Sequence, residues 1–192
     1  GASSDHALLQ RRQLEFERLQ QSCQGITADE FNTNNKVNLL KTGTKLLDPF
    51  ASILATDDST KKNPVAKEEL MKQVYETNDP FLFSLNAFSF IPSNEKGFIY
   101  GDKFYANDKD DKLVLEAAVS LFPCIAGTDC SKLDRLVMRR CIVEDKCYEN
   151  YESMVLGSLD GNNDLVQKAK ELSKKIAEDF RNKNVKPFMP EK

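Results

Sequence analysis

Four of the chain's five cysteines fall in the stretch FPCIAGTDCSKLDRLVMRRCIVEDKC, residues 122–147. Sulfur at that density can hold a metal, cycle between thiol and disulfide, or staple the backbone. The spacing C-x5-C, C-x10-C, C-x5-C discriminates among the three. Structural zinc sites draw each ligand pair from a turn of two to four intervening residues, and no histidine lies nearby to complete a set. A thioredoxin-like centre needs C-x-x-C, which this stretch lacks. Cys124, Cys130, Cys141 and Cys147 are therefore expected as disulfides, and an oxidising compartment, periplasmic or secreted, is expected with them.

Connectivity is a question of reach. Residues six apart in a helix are about 9 Å apart along its axis, and a bridge needs Cα atoms within about 7 Å. Neither close pair fits inside one uninterrupted helix. Gly127 permits a reversal between Cys124 and Cys130, and Glu144-Asp145-Lys146 offers one before Cys147. These turns favour Cys124–Cys130 with Cys141–Cys147, each closing a small loop at a helix end. The competing arrangement joins the helices, through Cys124–Cys141 or Cys130–Cys147. Cys23 is left over and reads as a small apolar residue on a helix stripe.

Other chemistry finds little support. His6 is the one histidine, and it stands close to the start, a poor place for a base that must be held rigidly beside a nucleophile. Asp160, Asn162, Asp164 and Glu171 occupy positions 1, 3, 5 and 12 of a calcium-loop register, but position 6, normally glycine, is Leu165. Helix capping by Asp164 accounts for the same residues. No glycine-rich phosphate loop is present. No catalytic residue, metal or cofactor is expected.

The elements that would position the cysteines are helical. Residues 5–23 carry Leu9, Phe16, Leu19 and Cys23 on one stripe. Thr27-Ala28-Asp29-Glu30 resembles a capping box. LLKTGTKLLDPFASIL, residues 39–54, then aligns without a gap to LMKQVYETNDPFLFSL, residues 70–85, at an offset of 31. In each copy Asp48 or Asp79 accepts from the free amides of a first turn, and Pro49 or Pro80 takes the first helical position, where its missing N–H costs nothing. Each copy is a helical hairpin, a period typical of helical repeats. A further step reaches Asp110, before the helical KLVLEAAVSLF. Asn63-Pro64 starts a helix over 64–77.

Between the second copy and the cysteines lies an aromatic stretch bearing Phe88, Phe90, Phe98, Tyr100, Phe104 and Tyr105. FSFI and FIYG are candidates to pair as a small hairpin around SNEKG. Aromatics of this kind are usually core, yet irregular segments on a rigid scaffold often carry binding. Phe88, Phe90, Tyr100, Phe104 and Tyr105 are therefore the candidate binding residues. Residues 148–158 read as helical, and a last amphipathic helix carries Leu165, Ala169, Leu172, Ile176 and Phe180 on one stripe. A single domain over 1–186 is expected, with an extended tail over 187–192 marked by Pro187 and Pro190.

Composition excludes several classes. The net charge of −3 and the interleaving of acids with bases in KAKELSKK argue against a nucleic-acid partner. No apolar run is long enough to span a bilayer. The chain opens Gly1-Ala2-Ser3 without an initiator Met, which reads as a cloning remnant or a processed end, and an export leader is expected to have been removed. The absence of an Asn-x-Ser/Thr sequon disfavours a eukaryotic secretory origin.

The run Cys124-Ile125-Ala126-Gly127-Thr128-Asp129-Cys130, with Cys141 and Cys147, CQGI at 23–26 and the two Asp-Pro-Phe hairpins, resembles uncharacterised cysteine-bearing, exported helical proteins of Gram-negative bacteria. The hairpins also loosely resemble Sel1 or tetratricopeptide-type repeats, although the tetratricopeptide Trp is missing. The resemblance implies an exported, disulfide-bearing helical protein and carries no catalytic residue over.

The expected fold is all-α: packed helical hairpins with one irregular aromatic segment. The expected function is a non-catalytic protein-binding or adaptor module of the bacterial envelope or secreted fraction, with a protein or peptide partner. An inhibitor or immunity protein blocking a toxin or hydrolase is the second reading, and a carboxylate-based hydrolase the third. A groove lined by residues 81–105 favours the first, a flat acidic and aromatic patch the second, and a cleft with two facing carboxylates the third.

Overall fold

The helices begin where the chain supplies a cap. The computed structural model describes residues 2–22, 24, 37–38, 41–43, 63–144 and 146–189. Its elements are α1 (Ala2–Ser22), α2 (Pro64–Glu76), α3 (Pro80–Phe90), β1 (Ser93–Asn94), β2 (Gly97–Tyr100), β3 (Lys103–Ala106), α4 (Lys109–Ala126), α5 (Asp134–Glu144), α6 (Tyr151–Leu156) and α7 (Asn163–Arg181). Short 3-10 turns lie at Cys130–Leu133, Gly157–Leu159 and Lys186–Phe188.

The second Asp-Pro-Phe copy folds as its caps dictate. Asn63 accepts from the amides of Val65 and Ala66 to start α2, and Asp79 accepts from Phe81 and Leu82 to start α3. Proline takes the first position of both helices. Asn78, in the left-handed conformation at φ 52°, makes the joint between them. Asp48-Pro49-Phe50, Cys23 and the 27–30 capping box lie outside the described residues.

The fold is mainly helical, but the expectation of an all-α chain needs correction: β1, β2 and β3 form a three-stranded antiparallel sheet. The strand pairing also differs from expectation. Residues 88–90 of FSFI belong to α3, which runs from its Asp-Pro cap until Ile91, extended ahead of Pro92, ends it. FIYG pairs instead with KFYA, matching Phe98 to Tyr105 and Ile99 to Phe104, while Ser93 pairs with Phe98.

Phe83 is the centre of the core. Its ring lies 5.2–5.9 Å from those of Tyr75, Phe90, Phe122, Phe180 and Phe188. The expected stripe on α7 is buried throughout, and Ala169, Ser173 and Ala177 give it a narrow ridge where it packs against α4. Phe188 is only 1 % exposed, so the extended tail proposed from Pro187 is not observed over 187–189. The amide of Gly101 donates to the Pro187 carbonyl (3.0 Å), and Lys67 Nζ donates to that of Phe188 (3.0 Å).

Helix α1 packs against α5. The face turned inward carries Leu8, Arg12, Glu15 and Leu19, all half-buried, while Leu9 and Phe16 are 61 % and 53 % exposed. Of the expected stripe, Leu9 and Phe16 are thus exposed while Leu19 faces inward. Arg12 explains the rotation. Its guanidinium donates to the Ile142 carbonyl at 2.6 Å, in the last turn of α5, where the helix dipole favours a cation. Arg11 donates to the Tyr148 carbonyl at 2.9 Å.

Candidate functional site

The cysteines bracket one helix. Gly127 stands at the end of α4 with φ 110°, a left-handed conformation that glycine adopts without strain. The amide of Thr128 closes back on the Pro123 carbonyl at 2.9 Å. The chain therefore reverses, and Cys130 meets Cys124 in a disulfide with Cα atoms 5.6 Å apart. α5 follows, and beyond its last residue Cys147 returns to Cys141 in a second disulfide, Cα atoms 4.2 Å apart. The pairing is the local one, and the helix-joining alternative is not formed. One bridge fixes the entry to α5 and the other its exit.

α5 so held forms one wall of a groove of about 560 Å³. α4 supplies the facing wall with Leu113, Glu116, Ala117 and Ser120, and α6 contributes Tyr151, Met154 and Val155. The α5 wall presents Leu136 and Val143, 41 % and 69 % exposed, with Arg139 and Arg140 between them. Arg140 pairs with Glu144 at 2.6 Å, and Lys112 lies 3.9 Å from Glu116. Arg139 is exposed and makes no ion pair or hydrogen bond among the described residues. The Tyr151 hydroxyl donates to the Ser120 carbonyl at 3.3 Å, and burial holds this phenol above its usual range while that bond acts the other way.

The aromatic segment lies elsewhere. Phe90, Tyr100 and Tyr105 are core residues at 0 %, 1 % and 4 % exposure, which corrects their assignment to a binding surface. Tyr100 donates to Asp179 Oδ2 at 2.5 Å, and Asn184 Nδ2 donates to Asp179 Oδ1 at 2.6 Å. Burial and then this carboxylate push the Tyr100 phenol far up. The Tyr105 phenol is pushed up to about 12 by burial and the Asp111 charge. Phe88 and Phe104 remain partly exposed, the first stacked edge-on against Phe98 at 5.6 Å, the second lying over Gly97 across the hairpin. None of the five predicted aromatics lines the groove.

His6 sits exposed on α1. In the calcium-like register Asn162, rather than Asp164, caps α7, accepting from Asp164 and Leu165, and Asp164 pairs with Lys168 at 2.6 Å. Asp108, rather than Asp110, caps α4. Among the described residues no group of three potential metal ligands converges.

No protein-family model, curated protein or solved structure matches this chain. Its site rests on geometry alone. Leu136, Arg139 and Val143 went unnoticed in the sequence, where the cysteines drew attention away from the helix between them. The legible signal is an apolar pair seven residues apart on the side of α5 away from the buried Val137, Met138 and Cys141.

Proposed function

We propose that this chain is a non-catalytic protein-binding module of an oxidising bacterial compartment, the periplasm or the secreted fraction, with the groove between α4, α5 and α6 as its binding surface. The observation that carries this reading is the exposure of Leu136 and Val143 on one wall of a concave, apolar-floored groove. Isolated exposed apolar residues need no explanation, but a pair on one stripe of a groove wall is the form in which helices receive helical or extended partners. The groove's two carboxylates, Glu116 and Glu144, each pair with a base one turn away on the same helix and are nearly half exposed. That is the behaviour of helix-face charges and favours binding over two-carboxylate hydrolysis. The two disulfides support the compartment, and the resemblance to exported cysteine-bearing proteins agrees with it.

Panning a random peptide library against the chain tests the site. Apolar-anchored peptides should be enriched, and Leu136→Asp and Val143→Asp should abolish their capture. Equal capture by both variants, or no enrichment, would overturn the assignment. For the compartment, the chain is taken from its native host, alkylated at lysis and mapped without reductant. Both bridges are expected, and free thiols at all four positions would refute export.

A further inference from the structure

We infer that the groove receives helix α1 of a second copy of this chain. The inference rests on the groove being a binding surface and names what fills it. Among the described residues two apolar faces stand exposed on the same molecule. The outer side of α1 carries Leu9 and Phe16, seven residues apart, and the groove wall of α5 carries Leu136 and Val143, also seven apart. Seven residues rise about 10 Å along a helix, so the pairs match in length. Side chains at this spacing are the ones that interdigitate when two helices pack along a common seam.

Charge matches as well. Glu17, next to Phe16, is exposed, and among the described residues it accepts one hydrogen bond, from Gln13 Nε2 at 3.2 Å. The Arg139 guanidinium stands between Leu136 and Val143 without an ion pair among the described residues. An antiparallel seating places Phe16 on Leu136 and Leu9 on Val143. Glu17 is then within about one turn of Arg139 and far from Glu144, whereas the parallel seating would set Glu17 against Glu144. The α1 of the same molecule cannot serve. Its other face is committed to α5 of its own chain, with Arg12 and Arg11 donating to the Ile142 and Tyr148 carbonyls at 2.6 and 2.9 Å. Each copy carries both halves of the contact, so two copies can make it twice about a two-fold axis.

Sedimentation velocity of the chain over about 1–500 μM tests this, a span that covers affinities of transient to moderate dimers. A concentration-dependent dimer is expected. Arg139→Glu and Glu17→Arg should each weaken it about tenfold, and the two together should restore it. Both positions are exposed, and circular dichroism checks that each variant is folded. A monomer throughout, association indifferent to the single changes, or a double variant no better than either single would overturn the inference. A monomeric chain whose groove still selects displayed peptides would sink the second-copy assignment and leave the binding module standing. A monomer that selects none would sink both.

Discussion

The Ser84 hydroxyl on α3 donates to the Val119 carbonyl on α4 at 2.9 Å. Pro123 gives this bond its meaning. Proline has no N–H, so the carbonyl four residues earlier, that of Val119, receives no helical partner. The neighbouring Ser120 carbonyl, in the same disturbed turn, is met by the Tyr151 hydroxyl from α6. A packed helix thus meets the carbonyl that proline strands in α4, and a second helix bonds the next carbonyl, beside Cys124.

Ser84→Ala should leave the Val119 carbonyl buried and unmet, costing about 1–2 kcal/mol. In a Pro123→Ala background, where an amide is restored, the same change should cost under about 0.5 kcal/mol. Urea denaturation of the four proteins measures the coupling, and equal losses in both backgrounds would show that Ser84 acts otherwise.

Ser173 presents the opposite case. Its hydroxyl is wholly buried on α7 and has no hydrogen-bond partner among the described residues. Ser173→Ala removes that polar atom and improves helix propensity, so stability should rise by about 1 kcal/mol. Ser173→Val should lower it by about 1–3 kcal/mol, because the ridge packs closely against α4. The midpoints of thermal unfolding order the three proteins.

Phe188→Ala separates a docked C-terminal turn from a loose one. The ring meets those of Phe83 and Tyr100 at 5.2 Å. Its removal should cost about 3–5 kcal/mol. A loss below about 0.5 kcal/mol would mean that the 3-10 turn contributes nothing to the core.

Alkaline pH should destabilise the fold. Tyr75, Tyr100 and Tyr105 all hold their protons more tightly folded than unfolded, chiefly through burial. Their contribution is complete below the unfolded phenol pKa of about 10 and is lost as pH rises through the folded values, because the unfolded chain then binds fewer protons. For Tyr105 that window runs from about 10 to about 12. Unfolding midpoints should fall steadily above about pH 10, and the slope should be shallower in Tyr105→Phe. A flat profile would count against buried phenols.

Replacing Cys141 and Cys147 together by serine should cost about 2 kcal/mol, the entropy of a small closed loop. It should also weaken peptide capture, since the exit of α5 is then held only by packing and by the bonds from Arg12 and Arg11 to the Ile142 and Tyr148 carbonyls. Undiminished capture would show that the bridge does not position the groove wall.

What could be read in advance was local. Asp79-Pro80-Phe81 announces a helix start because the cap, the proline and the amides it serves are adjacent in the chain. The α7 stripe is legible because its other face is so strongly polar. Long-range effects defeated the reading elsewhere. Apolar residues nearly surround α3, so no periodicity warned that FSF belonged to it and not to a strand. Pro187 suggested a loose end because nothing nearby in the chain reveals the ring cluster that receives Phe188. On α1 the apolar count pointed to Leu9 and Phe16, but one arginine reaching the end of a distant helix outweighed it.

Each sulfur bridge encloses only a handful of peptide units, 125–129 in one ring and 142–146 in the other. Hydrolysis inside either ring would part the backbone yet leave its fragments tethered, so such a clip would change the apparent mass only after a reductant is added. A molecule built this way carries a tolerance to proteases at the two turns that flank its groove wall.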